Sequence, residues 1–153
     1  MRIHIVAIGR ARAGPEAALF QHYAGRVTQW PLTLVEQDLR RQTAPDRVAE
    51  AEAALLRQAV PDGAFAVALD ERGQQYASRK FADLLRGQQD DGRRDIAFLI
   101  GGADGLAKSV RESADKVLSL GQATWPHLLV RGLLAEQIYR AQQILAGHPY
   151  HRD

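Results

Sequence analysis

Runs of consecutive apolar residues divide the chain into segments that predict β-strands. Continuous aliphatic and β-branched stretches of this length are typical of strands that are buried on both faces of a sheet. Four runs are clear, and a fifth, shorter run predicts another strand. They are RIHIVAIG at 2–9, PLTLVEQ at 31–37, AFAVALD at 64–70, DIAFLIGG at 95–102 and KVLSLG at 116–121.

The segments between these runs space their apolar residues as helices do. Helices are predicted over residues 15–29, 44–60, 78–88 and 104–114. The second has a start signal, with Thr43 as the capping residue and Pro45 and Asp46 in the first turn. Strands and helices therefore alternate, which predicts an α/β fold with a mostly parallel sheet flanked by helices. No repeat or linker interrupts the pattern, so we expect one domain over residues 1–153.

The last predicted helix, residues 127–147, is apolar over more of its surface than a single stripe. Its apolar residues are Leu128, Leu129, Val130, Leu133, Leu134, Ile138, Tyr139, Ala141, Ile144 and Leu145. Two interpretations are open at this point. Either one face packs on the sheet while another meets a second subunit, or the whole helix is buried within a monomer.

Composition narrows the class of protein. The 153 residues are 46% hydrophobic and 25% charged, as in an ordinary globular domain. The absence of cysteine excludes disulfides and thiolate metal sites and is compatible with a reducing compartment. No apolar segment approaches the length that spans a bilayer, so we expect a cytoplasmic protein without a membrane partner.

Charge points weakly to an acidic partner such as nucleic acid. The formal net charge is +2 and the pI is about 9.2. The final stretch is richer in basic groups than in acids. It contains His127, His148, His151, Arg131, Arg140 and Arg152, against the acids Glu136 and Asp153. A solvated helix face would explain this distribution equally well.

Two glycine-containing segments follow predicted strands, where ligands of parallel sheets bind. LIGGADGL at 99–106 places Gly101, Gly102 and Gly105 between a strand and a helix, so that backbone amides can approach a ligand. The order of glycines is neither a dinucleotide fingerprint nor a phosphate-binding loop. A tight turn without a ligand is the alternative.

The second segment, LGQATWPHLLVR at 120–131, predicts a loop that wraps a flat heteroaromatic ring through main-chain contacts. Trp125 is either a wall of this site or part of the core. His127 and Arg131 lie four residues apart, on one face near the positive end of the helix. Two such groups there favour binding of a phosphate or carboxylate.

The terminal segment HPYHRD raises the question of a metal site. The histidines are not accompanied by acidic or cysteine ligands at zinc spacing, so we expect no metal. No G-x-S-x-G motif supports a serine nucleophile. A nucleotide-like ligand beside a basic surface remains. The alternative role of the tail is local, with Pro149 stopping the helix and a basic side chain meeting the last carbonyls.

Taken together, these segments resemble a known family. VAIG, VALDERG, FLIGGADGL, LSLGQATWPH, LVRGLLAEQIYRA and HPYHRD occur in the order found in the small bacterial SPOUT-class RNA methyltransferases called ribosomal large-subunit methyltransferase H. The resemblance runs from Arg2 to the last residue. It implies S-adenosylmethionine as cofactor, methylation of N3 of a pseudouridine in 23S rRNA, and a homodimer. It also implies a SPOUT-type α/β fold with a trefoil knot near the C-terminus.

The resemblance also implies site residues. The cofactor contacts that it implies are Leu69, Gly101, Leu120, Gly121, Gln122, Ala123, Thr124 and Trp125. Gly121, Ala123 and Trp125 depart from the usual family loop, in which serine and leucine are common at the first and last of these positions. The candidates for catalysis and phosphate contact are His127, Arg131, Tyr150, His151 and Arg152.

We further hypothesise that the tail crosses towards the cofactor loop, either of its own chain or of the partner subunit, and helps to form the RNA-binding cleft. The substrate is either 23S rRNA, as free RNA or in the large subunit, or the assembled ribosome. Two rival functions remain open: a nucleotide-binding oxidoreductase that uses GGADG, and a non-catalytic RNA-binding protein.

Overall fold

The structure is a computed structural model that describes residues 1–39 and 43–150. In these residues, five strands form one sheet, and five α-helices flank it. The strands are β1 Arg2–Ile8, β2 Leu32–Gln37, β3 Phe65–Gln75, β4 Asp95–Ile100 and β5 Lys116–Ser119. The helices are α1 Pro15–Ala24, α2 Val48–Ala59, α3 Ser78–Asp90, α4 Lys108–Ser113 and α5 His127–Leu145.

The sheet has the strand order β2-β1-β4-β3-β5, and every pair of neighbours is parallel. The α/β prediction is therefore confirmed, while the knot that the resemblance implies stays a prediction. Because the strands are parallel, their carboxyl ends meet at one side of the sheet, as they do in other open α/β sheets. We call this side the carboxyl edge; it is formed by Ile8, Gln37, Leu69, Ile100 and Ser119.

Helices cover both faces of the sheet, which explains why the strands read as unbroken apolar runs. Helices α1, α3 and α5 pack on one face, and α2 and α4 pack on the other. Successive residues of the central strand β4 serve opposite cores, because side chains alternate along a strand. Phe98 packs with Phe81 and Ile138, whereas Leu99 lies in the other core with Leu56.

Helix α5 has no fully exposed residue along its length, in agreement with its apolar sequence. Leu134 and Ile138 are buried on the sheet side. Gly132 lets α1 approach closely, because a Cβ there would lie 2.6 Å from Leu19 Cδ2. Leu129 and Leu133 remain partly exposed. No helix in the described ranges is both long and apolar enough to cross a membrane.

Two predicted helices are shorter than their sequence patterns indicate. The helix predicted over 15–29 ends at Ala24 with Gly25 as its C-cap. The chain then turns so that Trp30 is buried and donates its indole N–H to Gln89 Oε1 at 2.7 Å. The helix predicted over 104–114 begins only at Lys108, because Gly105 takes a φ of +78° that helices do not allow.

The prediction for residues 44–60 was wrong at its start. Pro45–Arg47 form a 3₁₀ turn capped by Ala44, and α2 begins at Val48. Thr43 therefore precedes the capping position that the sequence signal assigned to it. A proline can occupy the first turn of either kind of helix, so this signal does not fix the turn type.

Strand β3 is longer than the predicted 64–70 because it leaves β5 and returns to it. Leu69 and Gln74 both pair with Leu118, so the four residues between them bulge out of the ladder. We call Asp70–Gly73 the β3 bulge. Its polar residues and glycine end the apolar run in the sequence, which is why the continuation of the strand was missed.

Candidate functional site

A cleft of about 380 Å³ opens at the carboxyl edge, where three segments distant in sequence converge. They are the β3 bulge, the turn at 101–106 after β4 and the loop at 120–125 after β5. The volume falls within the range of roughly 300–1,000 Å³ that is typical of small-molecule sites. Of the predicted cofactor contacts, all except Gln122 line this cleft: Leu69, Gly101, Leu120, Gly121, Ala123, Thr124 and Trp125.

The β3 bulge forms one rim of the cleft and is held by a buried carboxylate. Asp70 accepts the Arg72 backbone N–H at 3.0 Å and the Arg111 guanidinium at 3.3 Å. Arg111 also donates to the carbonyl of Leu106, in the turn after β4. A Cβ at Gly73 would lie 2.5 Å from the carbonyl carbon of Leu118, so only glycine fits there. One arginine of α4 thus links two rims of the cleft.

The turn at 101–106 presents main chain to the cleft at Gly101, because a side chain does not fit there. A Cβ on Gly101 would lie 2.5 Å from the carbonyl carbon and oxygen of Gly105. Gly102 and Gly105 form an isolated antiparallel bridge that closes the turn. Behind the turn, burial raises the pKa of Glu52, and a hydrogen bond from the Gly102 N–H opposes this rise. The predicted close approach of backbone to ligand is possible at Gly101.

The loop at 120–125 forms the third wall. Ser119 fixes its start, because its hydroxyl donates to the Gly121 carbonyl at 2.8 Å and accepts the Gly121 N–H at 3.1 Å. Gly121 has a φ of +117°, a backbone conformation that favours glycine. Trp125 is 43% exposed, so the alternative that it belongs to the core is wrong.

Trp125 also borders a second cavity, of about 440 Å³, between β3, α3 and α5. The two cavities share Leu69, Leu120, Gly121 and Trp125. The second is mostly apolar, and Gln137 and Ser78 supply a hydrogen-bonded pair at 2.9 Å in its wall. The 120–125 loop therefore separates two concave surfaces of similar size.

His127 lies at the first position of α5 and lines the cleft. Burial lowers the pKa of the imidazole, and the positive charge of Arg131 lowers it further. The neutral ring, which can accept a proton, is therefore favoured near pH 7. A Cβ at Gly9 would lie 3.2 Å from His127 Nε2, so the end of β1 touches this histidine.

Arg131 does not face the cleft, although it lies one helical turn from His127. Its side chain is 2% exposed and forms an ion pair with Glu36 at the end of β2. It also donates to the carbonyls of Ile8 and Gly9, both at 2.8 Å. The anionic partner expected from the sequence is thus a carboxylate of the chain itself. A phosphate contact by this guanidinium is excluded in this arrangement.

The described part of the tail follows the end of α5 and folds back along the helix, so that the Tyr150 hydroxyl donates to Glu136 Oε1 at 3.4 Å. Helix α5 has 19 residues, which corresponds to about 28 Å between its ends. Tyr150 packs edge-on against Tyr139 at 4.9 Å, and the guanidinium of Arg140 lies 5.1 Å from its ring centre. Burial, followed by a hydrogen bond with Tyr23, raises the pKa of Tyr150 to about 12. Tyr150 is not among the residues that line the cleft of its own chain, and His151 and Arg152 lie outside the described residues.

Four acidic or basic residues that organise the site were missed in the sequence analysis. They are Glu36, Glu52, Asp70 and Arg111. The sequence indicated the location of Asp70 in part, because an acidic residue directly after a buried strand lies at the carboxyl edge. The other three act through partners far away in the chain, and no spacing in the sequence indicates these pairs.

Comparisons with known proteins agree with this geometry. A family model described as "Predicted SPOUT methyltransferase" matches residues 1–151. The ribosomal RNA large subunit methyltransferase H of Rhodospirillum centenum is 59% identical over 152 residues, which cover 99% of each chain.

Solved structures show the same fold at low sequence identity. A probable methylase family protein from Haemophilus influenzae has a TM-score of 0.61 at 12% identity, over 99% of this chain and 70% of its own. The SpoU methyltransferase AviRb from Streptomyces viridochromogenes, solved in complex with AdoMet, has a TM-score of 0.50 at 15% identity, over 94% of this chain and 58% of its own. The chain belongs to the SPOUT methyltransferases and, among them, to the ribosomal RNA large subunit methyltransferase H family.

Proposed function

We propose that this protein transfers a methyl group from S-adenosylmethionine to N3 of a pseudouridine in 23S rRNA. It does so in the cytoplasm, as a single domain. The observation that carries the proposal is the convergence of the three predicted cofactor segments around one cleft. The name of the relative from Rhodospirillum centenum supports ribosomal RNA of the large subunit as the substrate.

The cleft fits the cofactor in shape and in charge. Gly101 and Gly121 leave main-chain groups accessible for the polar edge of an adenine, and Trp125 offers an apolar wall. The carboxylates of Glu71 and Asp104 also line the cleft and favour a cation, while the charge of Arg72 in the same lining is paired with Asp70 at 4.0 Å. S-adenosylmethionine supplies, when bound, a methyl group on a positively charged sulfur that leaves as a neutral thioether.

The acceptor nitrogen must lose its proton before or during methylation. His127 is the titratable cleft residue whose environment favours the neutral form, so we assign it as the acceptor of the N3 proton. Methyl transfer needs alignment of donor and acceptor more than covalent help from the protein. Arg131 contributes by holding α5, and thus His127, against the end of β1.

The tail completes the site, in this proposal, from a second copy of the chain. The partly exposed leucines of α5 supply an apolar surface for a homodimer. Tyr150 does not line the cleft of its own chain, and its hydroxyl donates to Glu136 Oε1 at 3.4 Å, at the middle of α5. An antiparallel arrangement of two α5 helices would bring each tail to the partner's cleft, where Tyr150, His151 and Arg152 would grip the RNA.

Calorimetry with S-adenosylmethionine, S-adenosylhomocysteine and NAD tests the cofactor. We expect both sulfur compounds to bind and NAD not to bind. Tight NAD binding would support the oxidoreductase instead, and RNA affinity without cofactor affinity would support a non-catalytic RNA-binding protein. Mass spectrometry of 23S rRNA from a deletion strain should then show an unmethylated pseudouridine. An unchanged modification profile would contradict the proposal.

Mixing two inactive variants tests the shared site. His127→Ala removes the cleft histidine, and deletion of residues 150–153 removes the tail. Each variant alone should bind S-adenosylhomocysteine and lack methylation activity. When subunits exchange at random, about half of the dimers are mixed, and each mixed dimer has one intact site of two. Mixing should therefore restore about a quarter of the activity of the unaltered protein. Full activity of the deletion variant, or no recovery on mixing, would refute the shared site.

A further inference from the structure

The loop that joins β1 to α1, residues 9–14, brings two arginines to the carboxyl edge. Its sequence is GRARAG, and the side chains of Arg10 and Arg12 are exposed. No hydrogen bond or ion pair joins either side chain to another residue within residues 1–39 and 43–150. Two other exposed arginines, Arg2 and Arg86, each have a carboxylate partner at 2.7 Å. Arg10 and Arg12 are therefore available to an external anion.

The main chain of this loop is fixed although its arginines are not. Glu36 accepts the backbone N–H of Ala11 at 2.8 Å, and the same carboxylate oxygen accepts from Arg131. Arg131 in turn donates to the carbonyl of Gly9. The buried ion pair thus holds the loop at two positions and leaves the arginine side chains facing solvent.

The loop also begins in contact with the cleft. Gly9 has a φ of +85° and lies against the imidazole of His127, which lines the cleft. An anion held by Arg10 or Arg12 would accordingly lie beside the reacting groups. The first acids that follow Arg10 and Arg12 along the chain are Glu16, Glu36 and Asp38. The charge of Glu36 is balanced by Arg131.

We propose that Arg10 and Arg12 bind RNA phosphates next to the methylated nucleotide, on a loop that the Glu36–Arg131 pair presents to the substrate. This proposal rests on the proposed function, because it needs RNA as the substrate. Guanidinium groups suit phosphate oxygens, and such contacts position the nucleic acid without reading its sequence. The two arginines are positioning residues for the acceptor and have no part in cofactor binding.

A pair of charge-matched variants tests the proposal. Arg10→Gln/Arg12→Gln removes two positive charges from the loop. Arg93→Gln/Arg94→Gln removes two exposed charges directly before β4, at the opposite edge of the same sheet. For each variant, the KM for ribosomes lacking the modification, the affinity for the RNA over a series of KCl concentrations, and the affinity for S-adenosylhomocysteine are measured.

The loop variant should raise the KM for the ribosomal substrate by about tenfold and leave S-adenosylhomocysteine affinity unchanged. The slope of log affinity against log salt should become shallower by about 1.4–1.8, since two phosphate contacts are lost. Arg10→Lys/Arg12→Lys should retain most of the slope. The proposal is overturned if the loop variant matches the Arg93/Arg94 variant, or if it loses cofactor affinity. Failure of the unaltered protein to bind S-adenosylmethionine would instead overturn the proposed function.

Discussion

Replacing Glu36 with glutamine removes the negative charge opposite the buried Arg131 guanidinium and keeps an oxygen that can accept hydrogen bonds. Loss of one partner from a fully buried ion pair costs about 3–5 kcal/mol, because the other charge stays desolvated and unpaired. The Glu36 side chain is 26% exposed, so solvent screens part of this interaction. We therefore expect Glu36→Gln to lower the free energy of unfolding by about 2–3 kcal/mol. For a chain of this length, that corresponds to a fall in Tm of roughly 4–12 °C.

Urea unfolding followed by circular dichroism measures this difference, and Glu112→Gln is the matched control. Glu112 pairs with Lys108 at 3.2 Å on the surface of α4, with both side chains more than half exposed. Such a pair contributes at most about 0.5 kcal/mol. If Glu36→Gln costs no more than Glu112→Gln, Arg131 does not depend on Glu36 and the interpretation of this pair is wrong.

Three further predictions concern His127, Gly73 and Asp95. His127→Gln should lower kcat by about 10²–10⁴-fold and leave the affinity for S-adenosylhomocysteine intact. In the unaltered enzyme, kcat/KM should fall only below about pH 6.5, where the imidazole gains a proton. A rate that does not depend on pH would exclude this role for His127. Gly73→Ala should lower the free energy of unfolding in urea more than Gly87→Ala does, because a Cβ at Gly87 meets nothing within 4 Å. An equal loss of stability in the two variants would contradict the close approach of Gly73 to Leu118. Arg2, with a smaller contribution from His4, lowers the pKa of Asp95 from 3.8 to about 2. The Asp95 carboxylate therefore stabilises the fold above pH 3.8, and this contribution to stability is lost as the pH falls towards about 2. The stability difference between the unaltered protein and Asp95→Asn should shrink over that range, and a constant difference would refute the assignment.

The order and type of the elements could be predicted because they depend on local patterns. Unbroken apolar runs require helices on both faces of the sheet, and the alternation with amphipathic segments requires parallel strands. The position of the glycine-containing segments at the carboxyl edge could be predicted for the same reason, since residues directly after the strands of a parallel sheet lie there. Gly101 and Gly121 both line the cleft, and their contact with the cofactor, which the resemblance implies, stays a prediction.

Helix ends and the β3 bulge were harder to predict because tertiary contacts override local preference there. The apolar spacing after Ala24 continues, yet the chain turns to bury Trp30. The polar bulge at Asp70–Gly73 looks like the end of a strand, and only the close packing of Gly73 on Leu118 shows that pairing resumes.

The chemistry of Arg131 shows the limit of reasoning from spacing. Its position four residues after His127 predicted that both lie on one helical face, and the sequence predicted a bound phosphate or carboxylate as the anionic partner. The sequence could not show that this partner is Glu36, because 95 residues separate the two and only the strand order β2-β1-β4 brings them together. Likewise, the density of basic groups in the tail is visible in the sequence, but its distance from the cleft follows from the length and direction of α5.

The local sequence pattern therefore determines the alternation of strands and helices, the glycines at the carboxyl edge and the basic tail. Which side chains meet depends on pairings between distant segments, and their energies exist only after the strands have aligned. The tertiary structure shows that Arg131, which the sequence made a candidate ligand contact, is a buried residue that joins α5 to β1 and β2. It also places the loop that carries Arg10 and Arg12 directly after Gly9, which lies against His127.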